Sequence, residues 1–578
     1  MIWYNTSSIL SEVFGMFLKS TKSKGYEYLS LVESVWEEGT TRHHTLFQLG
    51  RADLLRNDPS FQRILSKLNQ IMGISDGTFL PSDCSEATMK NYGYLAYAQL
   101  WEDLGIAKCL ERLSDQKKVT FPLSETAFLM AVQHLLRPAS KLSTYEGQAV
   151  YYRYQEIPLH TLYRTLDHLY AHKEIIEDEL FQENHTRAGQ TVDVVFYDVT
   201  TFAFESVQKD ELKNFGFSKS GKFNEVQVVM GLLMNSEGLP IGYELFPGNT
   251  FDGKTMVQAL ENIRKRFGIH RVVIVADRGL NSHQNLLKIR EAGYGYIVAG
   301  RIKSLAKQTQ EAILSPEGYT DAWDEEGDAV KIKVLEMNRV VPGEDKTPVV
   351  LPEHLILSYS ERRAKKDRAD RERLVEKARK MLDHPGQITA AGKRGGKKYL
   401  TGGKTTDVSW ELDEERIAED ALWDGYYGIE TSETHMTPQQ VREAYHTLWK
   451  IEESFRIMKS TLEVRPIFHW TPRRIHGHFL VCFLSFLMER NMERLLTQEK
   501  KTVPVSPERI REALLSMQLA QVTVGDTRCW IRTANASLGN TIFKKLKMKT
   551  PKNISTDEEL AAVFALTKKK SWWQLSLF

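Results

Sequence analysis

The sequence predicts an α/β fold, in which a mostly β insertion interrupts a core of strands and helices and a helical region precedes that core. Residues 191–300 contain strand-like and helical segments in succession, and apolar residues between 94 and 183 recur at the three- and four-residue spacing of helices. Residues 301–435 combine further strand candidates with one very charged helix. A chain of 578 residues indicates about three or four structural units.

The core is predicted from seven elements. Residues 191–204 (TVDVVFYDVTTFAF) are β-branched and aromatic, and the continuous apolar run at 271–277 (RVVIVAD) indicates a strand buried in a parallel sheet. In chain order we predict strands at 191–204, 225–234 and 239–246, a helix around 253–266, a strand at 271–277, a helix near 282–292 and a strand at 294–300. This order of elements is that of the ribonuclease-H-like fold.

Composition excludes several classes of protein. The 77 basic and 75 acidic residues leave a net charge of only +2, so the charge of the whole chain does not indicate nucleic-acid binding. None of the four cysteines lies in a CxxC pair, so zinc-finger spacing is absent and reduced cytosolic thiols are expected. The apolar stretch at 479–488 is far shorter than the roughly 20 residues of a membrane span. The first residues do not resemble a signal peptide, so we predict a cytoplasmic protein without a membrane partner.

Two aspartates are candidate metal ligands. Asp198 lies on the first predicted core strand, and Asp277 closes the fourth. Ligand chemistry in open α/β sheets gathers at the carboxyl ends of strands, and in this fold order the first and fourth strands are neighbours, so both carboxylates could share a metal. An Asp after an apolar strand is also a common cap or turn residue. Asp193 is the rival on the first strand, but it lies five residues earlier and is expected on the opposite face.

A helix predicted from about Thr437 to Leu462 supplies a third carboxylate. Tyr445, Glu452 and Lys459 follow one another at steps of seven residues, nearly two helical turns, so the three side chains are expected on one face. The apolar contacts of the helix are expected from Trp449, Ile451, Phe455 and Met458. The alternative interpretation is a solvated Glu–Lys face.

The spacing Tyr445–Glu452–Lys459 resembles the signature helix of the insertion-sequence-four superfamily of DDE transposases. Leu448 stands where that signature normally has Arg, which removes one expected DNA contact and leaves the carboxylate in place. The segments at 216–255 and 465–484 also resemble corresponding regions of these enzymes. The resemblance covers most of residues 16–500 and includes a mostly β insertion before the catalytic Glu. The segment that begins at Met16 resembles a typical family beginning, so Met16 is a candidate for the natural start beside Met1.

The resemblance implies the chemistry. The protein is expected to be a DNA transposase of an insertion sequence, which cuts at terminal inverted repeats and joins 3′-hydroxyl ends to target DNA. Two Mg²⁺ or Mn²⁺ ions are implied, with Asp198 bridging both and Asp277 and Glu452 each holding one. Double-stranded DNA is the implied partner, and a homodimer is expected to pair the two transposon ends in a nucleoid-associated complex.

DNA contacts are implied for further residues. Lys459 and Tyr445 would contact phosphates, and Tyr427 would stack on a flipped base, with Tyr426 and Trp423 as competitors for that role. Any one of these aromatic residues could instead belong to a β core. Two basic patches are candidates for tracking the DNA backbone: residues 361–380 contain ten Lys/Arg and five Asp/Glu, and residues 391–404 contain five Lys/Arg and no acid. A solvated helix face is the usual alternative for such runs.

Four segments summarise the predicted organisation: a mixed and then helical DNA-binding region at 1–190, a catalytic core at 191–300 and 436–500, an insertion domain at 301–435, and a C-terminal region at 501–578. Residues 25–35 and 42–49 are β-leaning and could pair. The helical pattern of the first segment is equally compatible with a structural bundle. Two other functions remain open: a transposase relic that binds DNA without cleavage, and a ribonuclease-H-like nuclease without strand transfer.

Overall fold

The protein is mixed α/β with several sheets, as predicted. The computed structural model describes residues 13–37, 40–72, 88–152, 154–186, 194–204, 208–216, 225–235, 237–250, 262, 266, 273–276, 281–323, 328–343, 347–383, 395–402, 410–446, 448–461, 469, 471–497, 505–524, 527–533 and 536–564. The chain forms two compact units: Met1–Ala188 with Arg456–Phe578, and Gly189–Phe455. We call them the terminal unit and the central unit.

The strands are β1 (Val13–Ser23), β2 (Tyr26–Glu37), β3 (Thr40–Arg51), β4 (Thr88–Asn91), β5 (Val194–Ala203), β6 (Gln227–Asn235), β7 (Pro240–Pro247), β8 (Val273–Ala276), β9 (Gly295–Ala299), β10 (Thr320–Trp323), β11 (Ala329–Pro342), β12 (Pro348–Tyr359), β13 (Leu400–Thr401), β14 (Glu411–Leu412), β15 (Tyr426–Thr431), β16 (Gln518–Val524), β17 (Thr527–Arg532) and β18 (Ile554–Ser555).

The α-helices are α1 (Ala52–Asn57), α2 (Pro59–Met72), α3 (Leu95–Asp103), α4 (Ile106–Gln116), α5 (Leu123–Leu136), α6 (Lys141–Gly147), α7 (Leu159–Ala171), α8 (Lys173–Phe181), α9 (His283–Glu291), α10 (Lys307–Leu314), α11 (Glu361–Leu382), α12 (Glu414–Ala421), α13 (Pro438–His446), α14 (Trp449–Arg456), α15 (Pro472–Thr497), α16 (Pro507–Leu515), α17 (Ser537–Lys545) and α18 (Asp557–Phe564). Two segments are π-helical, Gln182–Thr186 and Ile457–Thr461.

The central unit is built on a nine-stranded sheet in the order β10-β11-β12-β15-β9-β8-β5-β6-β7. Strands β5, β6 and β7 form an antiparallel meander, whereas β8 is parallel to both β5 and β9. All residues of β6, β8 and β9 are buried, as expected for continuous apolar runs covered on both faces. The five predicted core strands are therefore confirmed.

The helices of the core are confirmed in part. The predicted helix near 282–292 is α9, whose Ser282 side chain caps it by accepting a hydrogen bond from the N–H of Asn285. The predicted helix around 253–266 lies outside the described residues, except for helical positions 262 and 266.

The sequence predicts that residues 301–435 leave the core fold, but four strands of this segment extend the core sheet. Strands β10, β11, β12 and β15 pair side by side, and β15 pairs with β9. The physical reason is the free edge of β9: an unpaired edge presents a row of N–H and C=O groups, and β15 satisfies them through residues 429–431.

The helix predicted from Thr437 to Leu462 is also corrected, because it is not one helix. It consists of α13, α14 and the π-helical segment Ile457–Thr461. Between the two α-helices the N–H of Leu448 donates to the carbonyl of Tyr445, an i to i−3 bond that closes a turn instead of an α-helical bond. The interruption places Tyr445 on α13 and Glu452 on α14, so the two residues do not belong to one continuous helix.

The terminal unit contains two small antiparallel sheets and a helical core. The pairing predicted between 25–35 and 42–49 is confirmed by β2 and β3, which align Leu31 with Phe47 within the sheet β1-β2-β3. The second sheet has the order β18-β17-β16-β4. The helical pattern of 94–183 forms α3 to α8, and α15 packs against α3, α5 and α7. Among the described residues, no helix is both long enough and apolar enough to cross a membrane.

Helix α15 approaches α7 closely at a glycine. A Cβ atom placed on Gly477 would lie 2.2 Å from the backbone oxygen of Leu166, a separation that side-chain carbons do not adopt. The backbones of the two helices can therefore meet only because position 477 has no side chain.

We predict that Gly477→Ala destabilises the protein by about 1–3 kcal/mol, because the backbone of α7 must move to admit the methyl group. Urea or thermal unfolding measures the loss. Gly147→Ala is the control, since nothing lies within 4 Å of its Cβ position and it is expected to be neutral or slightly stabilising. Equal effects of both substitutions would contradict the close approach.

A carboxyl group is buried where α15 meets α3. Glu489 is 2% exposed, and it accepts a 2.5 Å hydrogen bond from the hydroxyl of Tyr97. Burial, with repulsion from Glu493, raises the pKa of Glu489 from 4.5 to about 8. The folded protein therefore holds a proton at neutral pH that the unfolded chain releases. This contribution to stability is fully present below pH 4.5 and is lost as the pH rises through about 8.

We predict that Glu489→Gln and the parent protein have similar stability near pH 5, and that the variant is more stable by on the order of 4 kcal/mol at pH 8. The amide is always neutral and still accepts from Tyr97, so it avoids the cost of ionising a buried carboxyl. Urea unfolding between pH 5 and 8 measures the difference. Glu512→Gln, at an exposed position of α16, is the control and is expected to leave the dependence of stability on pH unchanged. The prediction would be contradicted if the stability of Glu489→Gln ran parallel to that of the parent protein over this pH range.

Candidate active site in the central unit

The centre of the sheet holds the two strands that lead to the predicted aspartates. Strands β5 and β8 run parallel with Val194, Val195 and Phe196 aligned with Val273, Ile274 and Val275. Asp198 lies on β5, where its backbone pairs with Leu232 of β6. Strand β8 ends at Ala276, directly before Asp277 in the chain. Both aspartate positions therefore follow the last aligned pair, Phe196 with Val275, by two residues.

Parts of the predicted triad lie outside the described residues. These parts are Asp277 and the side chains of Asp198 and Glu452, and Asp193, the rival of Asp198, lies outside the described residues as well. The backbone of Glu452 belongs to α14, where Ser454 and Phe455 are buried. The grouping of the three carboxylates, and the opposite orientation of Asp193, stay predictions.

The strand that carries Asp198 is held firmly. Its neighbours Phe196, Tyr197, Val199 and Thr200 are at most 5% exposed. Opposite them, a Cβ atom on Gly231 would lie 2.7 Å from the Tyr197 hydroxyl, so this glycine of β6 makes room for the ring. A catalytic side chain on such a packed strand is better positioned than one on a mobile loop.

Two of the predicted DNA-contacting residues are brought together by the structure. The hydroxyls of Tyr427 on β15 and Tyr445 on α13 are 2.9 Å apart, and their ring centroids are 5.8 Å apart. The guanidinium carbon of Arg363 lies 4.4 Å from the centre of the Tyr427 ring, a cation–π contact. Lys459, the third predicted residue, lies in the terminal unit within the π-helical segment.

A cavity of about 510 Å³ opens beside this tyrosine pair in the central unit. All three aromatic candidates for base stacking, Trp423, Tyr426 and Tyr427, line it. Its basic lining residues are Arg301, Lys303, Arg363, Arg371 and Lys398. Both predicted basic patches contribute to the wall, through Arg363 and Arg371 from one and Lys398 from the other. Aromatic rings and cations in one concave wall can accept a planar ring together with an anion.

Acidic side chains hold these cations in place. Asp420 accepts hydrogen bonds from Lys303 at 3.0 Å and Lys398 at 2.9 Å. Burial alone would raise the pKa of Asp420, but the two lysines outweigh burial and lower it to about 2. Arg371 pairs with Asp424 in the same wall. The two basic patches in the sequence include Arg371 and Lys398, but they give no indication that Asp420 and Asp424 pair with these cations.

A buried charged network crosses the sheet next to the segment that follows β8. Arg339 of β11 donates to Glu353 of β12 at 2.8 Å and also pairs with Glu430 of β15. Glu430 accepts from the Asn281 amide at 2.8 Å, and this amide also donates to the carbonyl of Ala299. Asn281 lies four residues after Asp277, so the network fixes the end of the segment that carries that aspartate.

Sequence reasoning missed this network. Glu353 and Glu430 are 1% exposed, and burial raises the pKa of Glu353 although Arg339 opposes the shift. The available signals are an acid at 430 inside β15 and a cation at 339 inside β11, and β12 lies between these two strands in the sheet. They lie 91 positions apart in the chain, so no local pattern joins them.

We predict that Arg339→Met destabilises the protein by about 3–5 kcal/mol, because it leaves two buried carboxylates without their cation. Chemical unfolding measures the loss. The control is Arg362→Met, whose partner Asp328 and own side chain are both about half exposed or more, so less than about 1 kcal/mol is expected. A small effect of Arg339→Met would show that the network does not stabilise the sheet.

The fold and these positions define a class of protein. The family model described as Transposase DDE domain matches residues 190–488, more than half of the chain, and the chain therefore belongs to this family. The match spans Asp198, Asp277 and Glu452, and it indicates an insertion-sequence transposase that acts on DNA.

A second family model matches a shorter segment near the start of the chain. IS1634 family transposase, N-terminal domain, matches residues 18–77, which covers most of β1 to α2. IS1634 is a different family from the insertion-sequence-four superfamily that the sequence motif resembles, and that superfamily is not confirmed. Nothing among the curated proteins matches the chain.

Proposed function

We propose that this protein is a DNA transposase that cuts at the terminal inverted repeats of its insertion sequence and joins the freed 3′-hydroxyl ends to target DNA. The observation that carries the proposal is the parallel pairing of β5 with β8 inside the region of the family match, because these neighbouring strands run in the same direction and lead to Asp198 and Asp277 in the chain. The strand order β7-β6-β5-β8-β9, with its antiparallel meander and parallel pair, supports a ribonuclease-H-like core.

Three carboxylates are the proposed metal ligands. Asp198 would bridge two ions, and Asp277 and Glu452 would each hold one. Their oxygen-only donor set suits Mg²⁺ or Mn²⁺, which prefer hard ligands. When bound, the ions neutralise charge on both sides of an in-line displacement at phosphorus. Phe196 and Tyr197 before it and Val199 and Thr200 after it are buried, so the backbone of β5 that carries Asp198 is expected to resist displacement during the reaction.

The DNA would pass the tyrosine pair and the cavity. Tyr427 is the proposed stacking platform, and its hydrogen bond with Tyr445 orients the Tyr427 ring at the cavity wall. Arg363 would turn from the Tyr427 ring toward a phosphate, as would the lysines that now pair with Asp420. Lys459 is the proposed phosphate contact in the terminal unit. Double-stranded DNA is the substrate, and a homodimer in the cytoplasm would hold two transposon ends together.

The test is a reaction of the purified full-length chain with DNA that carries the inverted repeats flanking its gene, in Mg²⁺ or Mn²⁺. We expect cleavage at the repeat ends and joining of pre-cut ends to a target. Glu452→Gln is expected to lower both activities by more than about 100-fold, because it removes a metal ligand. Glu453→Gln, the adjacent carboxylate, is the matched control and should retain activity.

Each other outcome rejects a defined part of the proposal. Full activity of Glu452→Gln would show that the assigned triad is wrong. Binding of the repeats without any cleavage, with and without metal, would identify a transposase relic. Cleavage without a joined product would identify a nuclease that lacks strand transfer.

A further inference from the structure

A group of nitrogen and sulfur donors is buried in the helical core of the terminal unit. His134 lies on α5, and His478 and Cys482 lie on α15; all three are at most 5% exposed. Their candidate ligand atoms lie within 4.8 Å of one another. The Sγ of Cys482 is 3.7 Å from Nε2 of His478, and the rings of His134 and His478 are 5.2 Å apart at their centroids.

The local structure explains why these donors converge. His478 and Cys482 are four residues apart on one helix, so their side chains project from the same face. That face of α15 packs against α5, which brings His134 opposite them. A fourth nitrogen donor is close, because the His469 ring centroid is 5.2 Å from that of His478 and this residue is 7% exposed.

We propose that His134, His478 and Cys482 form a zinc site that joins α5 to α15, with His469 or a water molecule as the fourth ligand. Zinc prefers imidazole nitrogen at about 2.0–2.1 Å and thiolate sulfur at about 2.3 Å in a tetrahedral arrangement. The donors must draw together by about 1 Å at their widest separation, which side-chain rotation can supply. On binding, Cys482 loses its thiol proton to solvent and becomes a thiolate ligand.

This site is chemically distinct from the proposed catalytic carboxylates. Imidazole and thiolate are borderline and soft donors that select zinc over Mg²⁺, whereas Asp and Glu oxygens do the reverse. The zinc site also lies wholly in the terminal unit, whereas Asp198, Asp277 and Glu452 belong to the central unit. Its role would be structural, and the proposal does not depend on transposase activity.

One cation faces the same donors. Lys141 of α6 is 4% exposed, and its Nζ lies 3.2 Å from Nε2 of His134. In the proposed site, zinc takes this same nitrogen, Nε2 of His134, so zinc binding would displace the lysine contact. Removing the lysine amine should therefore strengthen zinc binding. If the Lys–His hydrogen bond serves only to hold the core together, the same change should lower the stability of the protein and have no effect on zinc binding.

The experiment measures metal in the full-length chain. After incubation with ZnCl₂ and desalting, we expect about one zinc per chain by elemental analysis and a higher melting temperature than after chelation. Cys482→Ser and His478→Gln should lose this zinc. Cys109→Ser is the matched control, since Cys109 is a buried free cysteine on α4 and should keep the full zinc content.

Two further measurements keep the proposal testable if a variant fails to fold. Cobalt added to the parent protein should give the charge-transfer absorption of a thiolate–cobalt bond, and Lys141→Met should bind zinc about tenfold more tightly. The proposal is overturned if the parent chain binds no stoichiometric zinc and shows no thiolate–cobalt absorption. It is also overturned if Cys482→Ser, correctly folded, retains the same zinc as Cys109→Ser.

Discussion

The central unit depends on the parallel alignment of β5 with β8. Parallel strands cannot be joined by a tight turn, so the chain between them must cross over and return, and the pair is buried on both faces as a result. The proposed roles of Asp198 and Asp277 rest on that geometry, because the two parallel strands run side by side and lead to these residues in the chain. The glycine at 231 and the Asn281–Glu430 contact support the two strands from either side.

The wall of the cavity beside the tyrosine pair carries several basic side chains, and its own acidic residues stabilise it in the absence of a bound polyanion. Lys303 and Lys398 both donate to Asp420, and Arg371 pairs with Asp424, so the wall is internally neutralised in part. An anionic ligand would have to exchange with these carboxylates. Such exchange makes binding sensitive to salt and favours ligands that bring several phosphates at once.

Sequence patterns predicted the five core strands because each is a local run of β-branched and apolar residues. The same reasoning failed where the decisive partner is remote. Strand β15 pairs with the edge of β9, although more than one hundred residues separate the two strands in the chain. Arg339 contacts Glu430 through strand pairing that no sequence periodicity indicates. The turn at Leu448 was missed because no Gly or Pro marks it. Of the candidate site, the contact of Tyr427 with Tyr445 is observed, while the grouping of the three carboxylates rests on the motif, on strands β5 and β8 and on helix α14.

The terminal unit is assembled from both ends of the chain, and this has a consequence for synthesis. Helices α5 and α7 are complete at Ala171, but α15, which packs on both, begins only at Pro472. A ribosome adds the 300 residues numbered 172–471 in about 15–60 seconds, during which the apolar faces of α5 and α7 lack their partner. The residues of the central unit have by then all been made, whereas the terminal unit closes only when nearly the whole chain exists. Any truncation before α15 therefore leaves an incomplete helical core.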